Sequence, residues 1–431
     1  MRKIFFALLI LILNLNLNLA SAEELNLNNL SIQDCLNIAL ANHPTLRNAK
    51  GGTRAAAAQL EQVKANNRAT LSASGSLSYN GNYEEWSDRY HSQSAGVTAS
   101  KLLFDNNKNK LQQEIQKLNL TNSRENEREK RVSIAAAAKR AYYDLVLKIL
   151  NRDVELEKLK NLEEHVERAK GYYEVGNSAY IDVTKAEADA ASARTSLLKA
   201  ENDILLSQES LLVAMGINNA NINKLNLALA SKLLIPQNNQ AIQDLLSAAL
   251  EDRPDLKQSE NTIKSRELSI KNAARGNSPT ITGQLTSNFS HREAQSSTEN
   301  YGANININIP IVDGGAVKAD IELARAQLDQ SQADRDLLKQ QITYSVRSAA
   351  LSLANAIERA KSSQSSVKYA EENLELARGR YEVGVGTPLE LSDAVSSLAS
   401  ARYAHYQALY DAQSARADLD EAMGHLPIEL Q

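Results

Sequence analysis

Cysteine, proline, glycine and long apolar runs are scarce in this chain, and each scarcity removes possibilities. With one cysteine, Cys35, among 431 residues, no internal disulfide and no cysteine-based metal site can form. Its neighbours Ile32, Leu36 and Ala39 make Cys35 a buried apolar position. The six histidines (His43, His91, His165, His291, His405 and His425) are scattered with no ligand spacing, and no glycine-rich phosphate loop follows a strand. Neither an enzyme signature nor a metal or cofactor site is therefore expected. Basic residues do not outnumber acidic ones, 48 against 52, which argues against a nucleic-acid surface. Past the amino terminus no stretch reaches the roughly 18 apolar residues of a membrane helix. Any insertion into a membrane must use strands.

The amino terminus itself reads as a secretory signal over residues 1–22. MRKIFFALLILIL places two basic residues before an apolar core too short to span a bilayer, and Ala20-Ser21-Ala22 supplies a small-x-small cleavage pattern. The mature chain then starts near Glu23, and loss of Arg2 and Lys3 moves the net charge from −4 to about −6. A lipid-bearing cysteine would have to be the first mature residue, and Cys35 lies well past it.

The chain is a tandem duplication. Ala169–Gly216 aligned on Ala377–Gly424 gives about 17 identities in 48 positions, including both Ser-Ala-Arg and Ala-Met-Gly triplets. This divides the mature chain into a first repeat (23–216), a linker rich in Asn and Leu (217–240) expected near the middle of the long helices, a second repeat (241–424) and a short tail (425–431). Each repeat turns at a sharp tip, YEVGNSAYIDVTKA at 173–186 and YEVGVGTPLELSDA at 381–394. Gly176 and Gly384 suit the left-handed conformation that ends a helix. Thr387 is an N-cap with Pro388 at the first helical position, and Ser178 is placed to cap in the first copy.

Each repeat opens on a short amphipathic helix, SIQDCLNIALA at 31–41 and AIQDLLSAALE at 241–251. His43-Pro44 and Arg253-Pro254 break them, because the residue before proline is pushed out of the helical region. A second helix follows each break, to about Asn67 and Gly276. Then the period changes from 3.6 to 2, giving strands over about 69–104 and 279–312. Leu71, Ala73, Gly75, Leu77 and Tyr79 alternate with serines, and Ala303, Ile305, Ile307 and Ile309 alternate with asparagines. A soluble sheet with one wet face would explain the alternation alone. Strands of about ten residues, polar loops at Asn80–Gln93 and Ser290–Tyr301, and a preceding secretory signal are features of outer-membrane strands, with those loops outside the cell. Four strands cannot close, since the smallest membrane barrels have about eight, so the strands must be pooled between subunits.

Asp105 and Asp313, each followed by small turn formers, stop the strands and can cap the helices that follow. From Lys108 to Lys170 and from Val317 to Arg378 there is neither Gly nor Pro, so each helix is roughly 90 to 95 Å long. Ala135, Ala138, Tyr142, Leu145 and Ile149, then Leu159, Leu162, Val166, Ala169 and Tyr173, form narrow apolar stripes between polar faces. Such stripes fit a wall one helix thick, wet on both sides. Just past the second tip, Glu390 and Asp393 share one helix face. They either complement the helix dipole or, with several subunits, form an acidic ring.

This order of parts (signal, helix-Pro-helix, strand pair, Asp turn, very long helix, Val-Gly tip, helix, and then all of it again) resembles the TolC-like outer-membrane efflux family over about residues 30 to 426. The resemblance implies a mainly α fold with a membrane β-barrel part: a homotrimer with a 12-stranded barrel in outer-membrane lipid continuing into a 12-helix periplasmic tunnel. It implies as partners a periplasmic adaptor protein and an inner-membrane pump of the RND, ABC or MFS type. Carried over residue by residue, the paired entrance acids fall on Glu390 and Asp393, and a closed-state link between the two hairpins falls on Tyr381 and Asp182. The tips Val175, Gly176, Val383, Gly384 and Gly386, small and apolar, are expected adaptor contacts. Where the best-known member has an arginine shortly after the second tip glycine, this chain has Gly386, which cannot make that charged link. The expected function is the exit duct of a tripartite efflux pump. The alternatives are a duct for type I protein secretion and, from another class, a secreted coiled-coil scaffold without a pore.

Overall fold

A computed structural model of the chain describes residues 29–80, 90–176, 178–217, 233–237, 240–292 and 296–427. The signal, most of the linker and the part of the first loop around Trp86 lie outside the described residues. Both repeats build the same succession of elements. The first runs α1 (Ile32–Asn42), α2 (Pro44–Ala65), β1 (Thr70–Asn80), β2 (Tyr90–Phe104), α3 (Lys108–Glu174) and α4 (Tyr180–Ala214). The second runs α5 (Ile242–Asp252), α6 (Pro254–Ala273), β3 (Thr280–Arg292), β4 (Thr298–Asn308), α7 (Ala316–Glu382) and α8 (Pro388–Met423). The two long helices have 67 residues each, about 100 Å.

The helices form a single layer. Over the half nearest the sheet α3 packs between α2 and α6, over the other half it packs between α4 and α8, and α7 lies on the far side of α6 and α8. The shorter helices are stacked end to end. Gly216, just past α4, sits on the start of α2, and Gly424, just past α8, sits on the start of α6. Both have positive φ (71° and 72°), and a Cβ would lie 2.5 Å from His43 Cα at Gly216 and 2.9 Å from Pro254 Cδ at Gly424. Glycine is required here twice over, for the left-handed turn and for the room.

Around these junctions α1 and α5 lie against the layer as a belt. Leu36, Ala39 and Leu46 pack on Ile134, Ala135 and Ala138 of α3, and Leu245 and Ala249 pack on Ile342, Val346 and Leu419 of α7 and α8. Cys35 is fully buried in this belt, and burial pushes its thiol up to about 12. With no exposed surface it has no room for an acyl chain.

The caps follow local chemistry with one exception. Ser31 and Asp34 form a reciprocal capping box. Asp313 accepts from the N–H groups of Val317 and Gly315 (both 2.9 Å), which hold its carboxyl below the usual carboxylate range. Asp105 accepts from Asn109 N–H at 2.7 Å. Thr387 Oγ1 accepts from Glu390 N–H at 3.2 Å, a cap of about 1 kcal/mol. Ser178 does not cap α4. Its hydroxyl donates instead to Asp182 Oδ2 at 2.6 Å, and Ala179 occupies the cap position.

The strands form one antiparallel sheet in the order β1-β2-β3-β4. They reach further than the polar sequence suggested: Tyr90–Gln93 belong to β2, and Ser290–Arg292 and Thr298–Tyr301 to β3 and β4. Backbone pairing overrides side-chain polarity there, because strand tips in water tolerate polar residues on both faces.

Candidate functional site

Two regions carry the functional geometry, and the first is the sheet. Register aligns Leu71 with Ala99 and Leu285, then with Ala303, so the apolar residues of all four strands share one face. Leu77, Tyr301, Ile305 and Ile307 on that face are exposed, Tyr301 to 91 %. The opposite face is a polar ladder in which Ser76 and Ser94 hydroxyls meet at 2.8 Å, Ser78 and Ser92 at 2.6 Å, and Asn306 Nδ2 donates to Gln284 Oε1 at 3.1 Å. The eight steps from Leu71 to Tyr79 span about 26 Å along the strand, or about 20 Å of height at barrel tilt. A β-bulge shifts register from Leu102–Thr282 to Phe104–Ile281, which turns Phe104 onto the apolar face. Among the described residues no helix is long and apolar enough to cross a membrane.

The second region is the far end of the helices. Gly176 and Gly384 end α3 and α7 with φ of 80° and 74°, and Val175, Val383 and Val385 stand exposed on the tips. Gly386 has no space to spare, since a Cβ would lie 2.9 Å from Tyr381 N and 3.0 Å from Arg380 Cβ. In this tip a longer side chain at 386 is sterically disfavoured. The cation nearby is Arg380, whose Nε lies 3.5 Å from Glu390 Oε2. Asp393 is exposed one turn further on.

Tyr381 is 5 % exposed, in a cluster with Leu162, Ala377, Leu391 and Ala394 that joins α3, α7 and α8. Its ring meets those of His165 (5.3 Å between centroids) and Tyr172 (5.6 Å) edge to face. Burial raises its hydroxyl above the ordinary tyrosine value, with Tyr172 and Asp182 adding to the effect. Among the described residues no hydrogen bond joins Tyr381 to Asp182, whose carboxylate accepts from Ser178 as above.

The two hairpins are joined by other contacts. Ser392 of α8 donates to Asp189 Oδ2 of α4 at 2.8 Å, Arg378 of α7 donates to Asn161 Oδ1 of α3 at 2.8 Å, and Arg402 of α8 bridges Glu157 of α3 and Glu371 of α7. His165, Tyr172, Asp189 and Ser392 carried no motif. The only signal for them was their place within about three turns of a tip. Tyr173 was expected on the buried stripe, yet it is 46 % exposed and lies against Tyr180 with the rings tilted by 56°, while Tyr172 turns inward.

Both halves of the chain, residues 35–217 and 245–425, match the outer membrane efflux protein family. The chain belongs to that family. It is an outer-membrane efflux channel protein and not an enzyme. The probable outer membrane lipoprotein SilC of Salmonella typhimurium is 25 % identical over 395 residues, covering 90 % of this chain and 84 % of SilC. Among solved structures, CusC superposes with a TM-score of 0.75 at 21 % identity over 93 % of both chains. The open-state MtrE outer membrane channel of Neisseria gonorrhoeae superposes with 0.78 at 20 % identity, over 91 % of this chain and 89 % of that one. These likenesses fix the fold: helical hairpins in one layer, continuous with a four-stranded portion of a barrel.

Proposed function

We propose that three copies of this chain close a 12-stranded barrel and a 12-helix tunnel, and that the trimer is the exit duct of a tripartite efflux pump, engaged at its tips by a periplasmic adaptor and an inner-membrane pump. The observation that carries the reading is the pair of open edges. Strands β1 and β4 each have one unpaired side, and an open edge in lipid leaves backbone groups without partners. The helical layer ends on α7 at one side and on α2 and α4 at the other. Each side keeps an exposed apolar stripe at about seven-residue spacing, Leu337, Tyr344 and Leu351 on α7 and Leu198, Leu205 and Val213 on α4. Such stripes are complementary seams for neighbouring copies.

In this assembly Glu390 and Asp393 stand at the entrance, each Glu390 partly neutralised by Arg380. The tips present Val175, Val383 and Val385 to the adaptor. Tyr381 packs the second hairpin against the first, with Ser392 and Asp189 supplying the polar link. Outer-membrane fractions should yield a heat-modifiable trimer, and deletion should sensitise cells to the pump's cargo. Cross-linking that stops at monomer or dimer would overturn the duct. Loss of a secreted protein without any change in drug or metal sensitivity would assign the duct to type I secretion.

A further inference from the structure

The outward face of the sheet has a hollow near its helix-side end. Small residues alternate with larger ones there: Ala99 on β2 and Ala303 on β4 flank Leu285 of β3, and Gly283 lies between Lys101 and Ile305 with the Leu103 side chain beside it. The hollow has a volume of about 440 Å³, and an unbranched acyl chain is the shape that fits a shallow apolar trough facing lipid. Lys101 lies at its margin, directly opposite Gly283 in the ladder and on the apolar face. It is exposed, and a lysine at the end of an apolar band reaches toward the head-group layer. Basic residues predominate around it, beside the carboxylates of Asp105, Asp313 and Asp320. Lys108 and Lys110 open α3, Lys271 lies in the last turn of α6 with Arg275 just past its end, and Lys318 lies in the first turn of α7. The neighbouring carboxylates of Asp105 and Asp313 are turned onto backbone N–H groups. A basic rim at head-group level in an otherwise acidic chain is complementary to anionic lipid.

We propose that this hollow and Lys101 form a binding site for an anionic phospholipid of the periplasmic leaflet, with the phosphate on the Lys101 ammonium and an acyl chain against Ala99, Leu285 and Ala303. The proposal rests on the reading of the sheet as part of a membrane barrel. The site is complete within one chain, so an assembly holds as many as it has subunits.

The test uses the full-length protein reconstituted into vesicles of phosphatidylethanolamine and phosphatidylglycerol in equal parts, extracted with its lipid annulus by a styrene–maleic acid polymer, and assayed for retained lipid. The wild-type annulus should hold phosphatidylglycerol enriched about threefold or more over the bulk. Lys101→Gln should return it to the bulk ratio, and Lys101→Arg should keep the enrichment. Ala303→Leu, which fills the hollow from a lipid-facing position, should lower total retained lipid with conductance unchanged. Bulk composition around the wild type, or enrichment that survives Lys101→Gln, would overturn the lipid site while leaving the channel intact. An altered ion selectivity in Lys101→Gln with unaltered lipid would place the lysine in the lumen and overturn it too. Failure of the wild type to insert at all would overturn the membrane reading itself, and heat-modifiability on gels reports that separately.

Discussion

His165 meets Tyr381 edge to face, 5.3 Å between ring centroids, and its Nδ1 has no hydrogen-bond partner although the residue is only 3 % exposed. Burial disfavours the charged form of an imidazole held this way. Burial lowers its pKa below 6.5, opposed by the carboxylate of Asp189, reinforced by Arg168 and opposed again by Asp182.

The unfolded chain therefore binds a proton more readily than the folded one at this site. The stabilisation is fully present above about pH 6.5 and is lost as pH falls through the lower folded value. Acidification from neutral to about pH 5 should loosen the packing of α3 on α7 and α8, read as faster hydrogen exchange around Tyr172 and Tyr381. His165→Phe keeps the ring and removes the titration, so it should abolish the acid response. An identical response in that variant would assign the acid effect to other groups.

The Ser392–Asp189 bond is the direct polar contact between α8 and α4 beside the second tip. Its loss leaves a half-buried carboxylate without its donor, about 1 to 3 kcal/mol. Ser392→Ala should raise single-channel conductance in planar bilayers, whereas Asp182→Asn, which keeps a partner for Ser178 and breaks no bond between the hairpins, should have a smaller effect. The reverse order would restore Asp182 as the principal link.

Beside the second tip, the pairing of Arg380 with Glu390 is exposed and well under about 1 kcal/mol. Even so, Arg380→Ala removes one positive charge per subunit from the acidic end. Cation-to-anion permeability should rise about twofold, by the logic of charged rings in a constriction. Glu390→Ala with Asp393→Ala should lower it. Unchanged selectivity in both would reduce these groups to helix-end charges.

Gly216→Ala and Gly424→Ala each force a Cβ into the end of the next helix at a positive φ. The backbone cost alone is about 1 to 3 kcal/mol, before the clash. Both variants should assemble poorly and melt early, measured by the temperature at which the oligomer dissociates on gels. Gly176→Ala carries the same φ cost but has open space around it, so it should be the milder substitution.

What could be read from the sequence depended on the range of the interaction. The strands, the glycine turns at 176 and 384, the proline breaks and the Thr387 cap are local: period, φ and one hydrogen bond decide them. The tip cluster is not local. Tyr172 and Tyr173 are neighbours in the same helix, and which one turns inward depends on where α7 crosses α3, a property of two segments about 200 residues apart. Ser392 and Asp189 are ordinary helical residues until α4 and α8 lie side by side. Ser178 was misassigned because its hydroxyl donates to the Asp182 carboxylate, a charge-assisted bond that holds the oxygen away from the helix N–H groups, and Ala179 takes the cap position.

The stacked junctions at Gly216 and Gly424 divide the wall into two kinds of member. Two of its four columns are unbroken for about 100 Å, and two are spliced at mid-height from separate helices that touch but share no helical hydrogen bonds across the joint. Helical hydrogen bonding runs from tip to sheet in the unbroken pair and is interrupted at the splices, so the joints are where the wall has least resistance to a twist applied at the tips. The duplication that wrote Ala-Met-Gly twice into the sequence thereby places both joints at the same height, where one belt surrounds them.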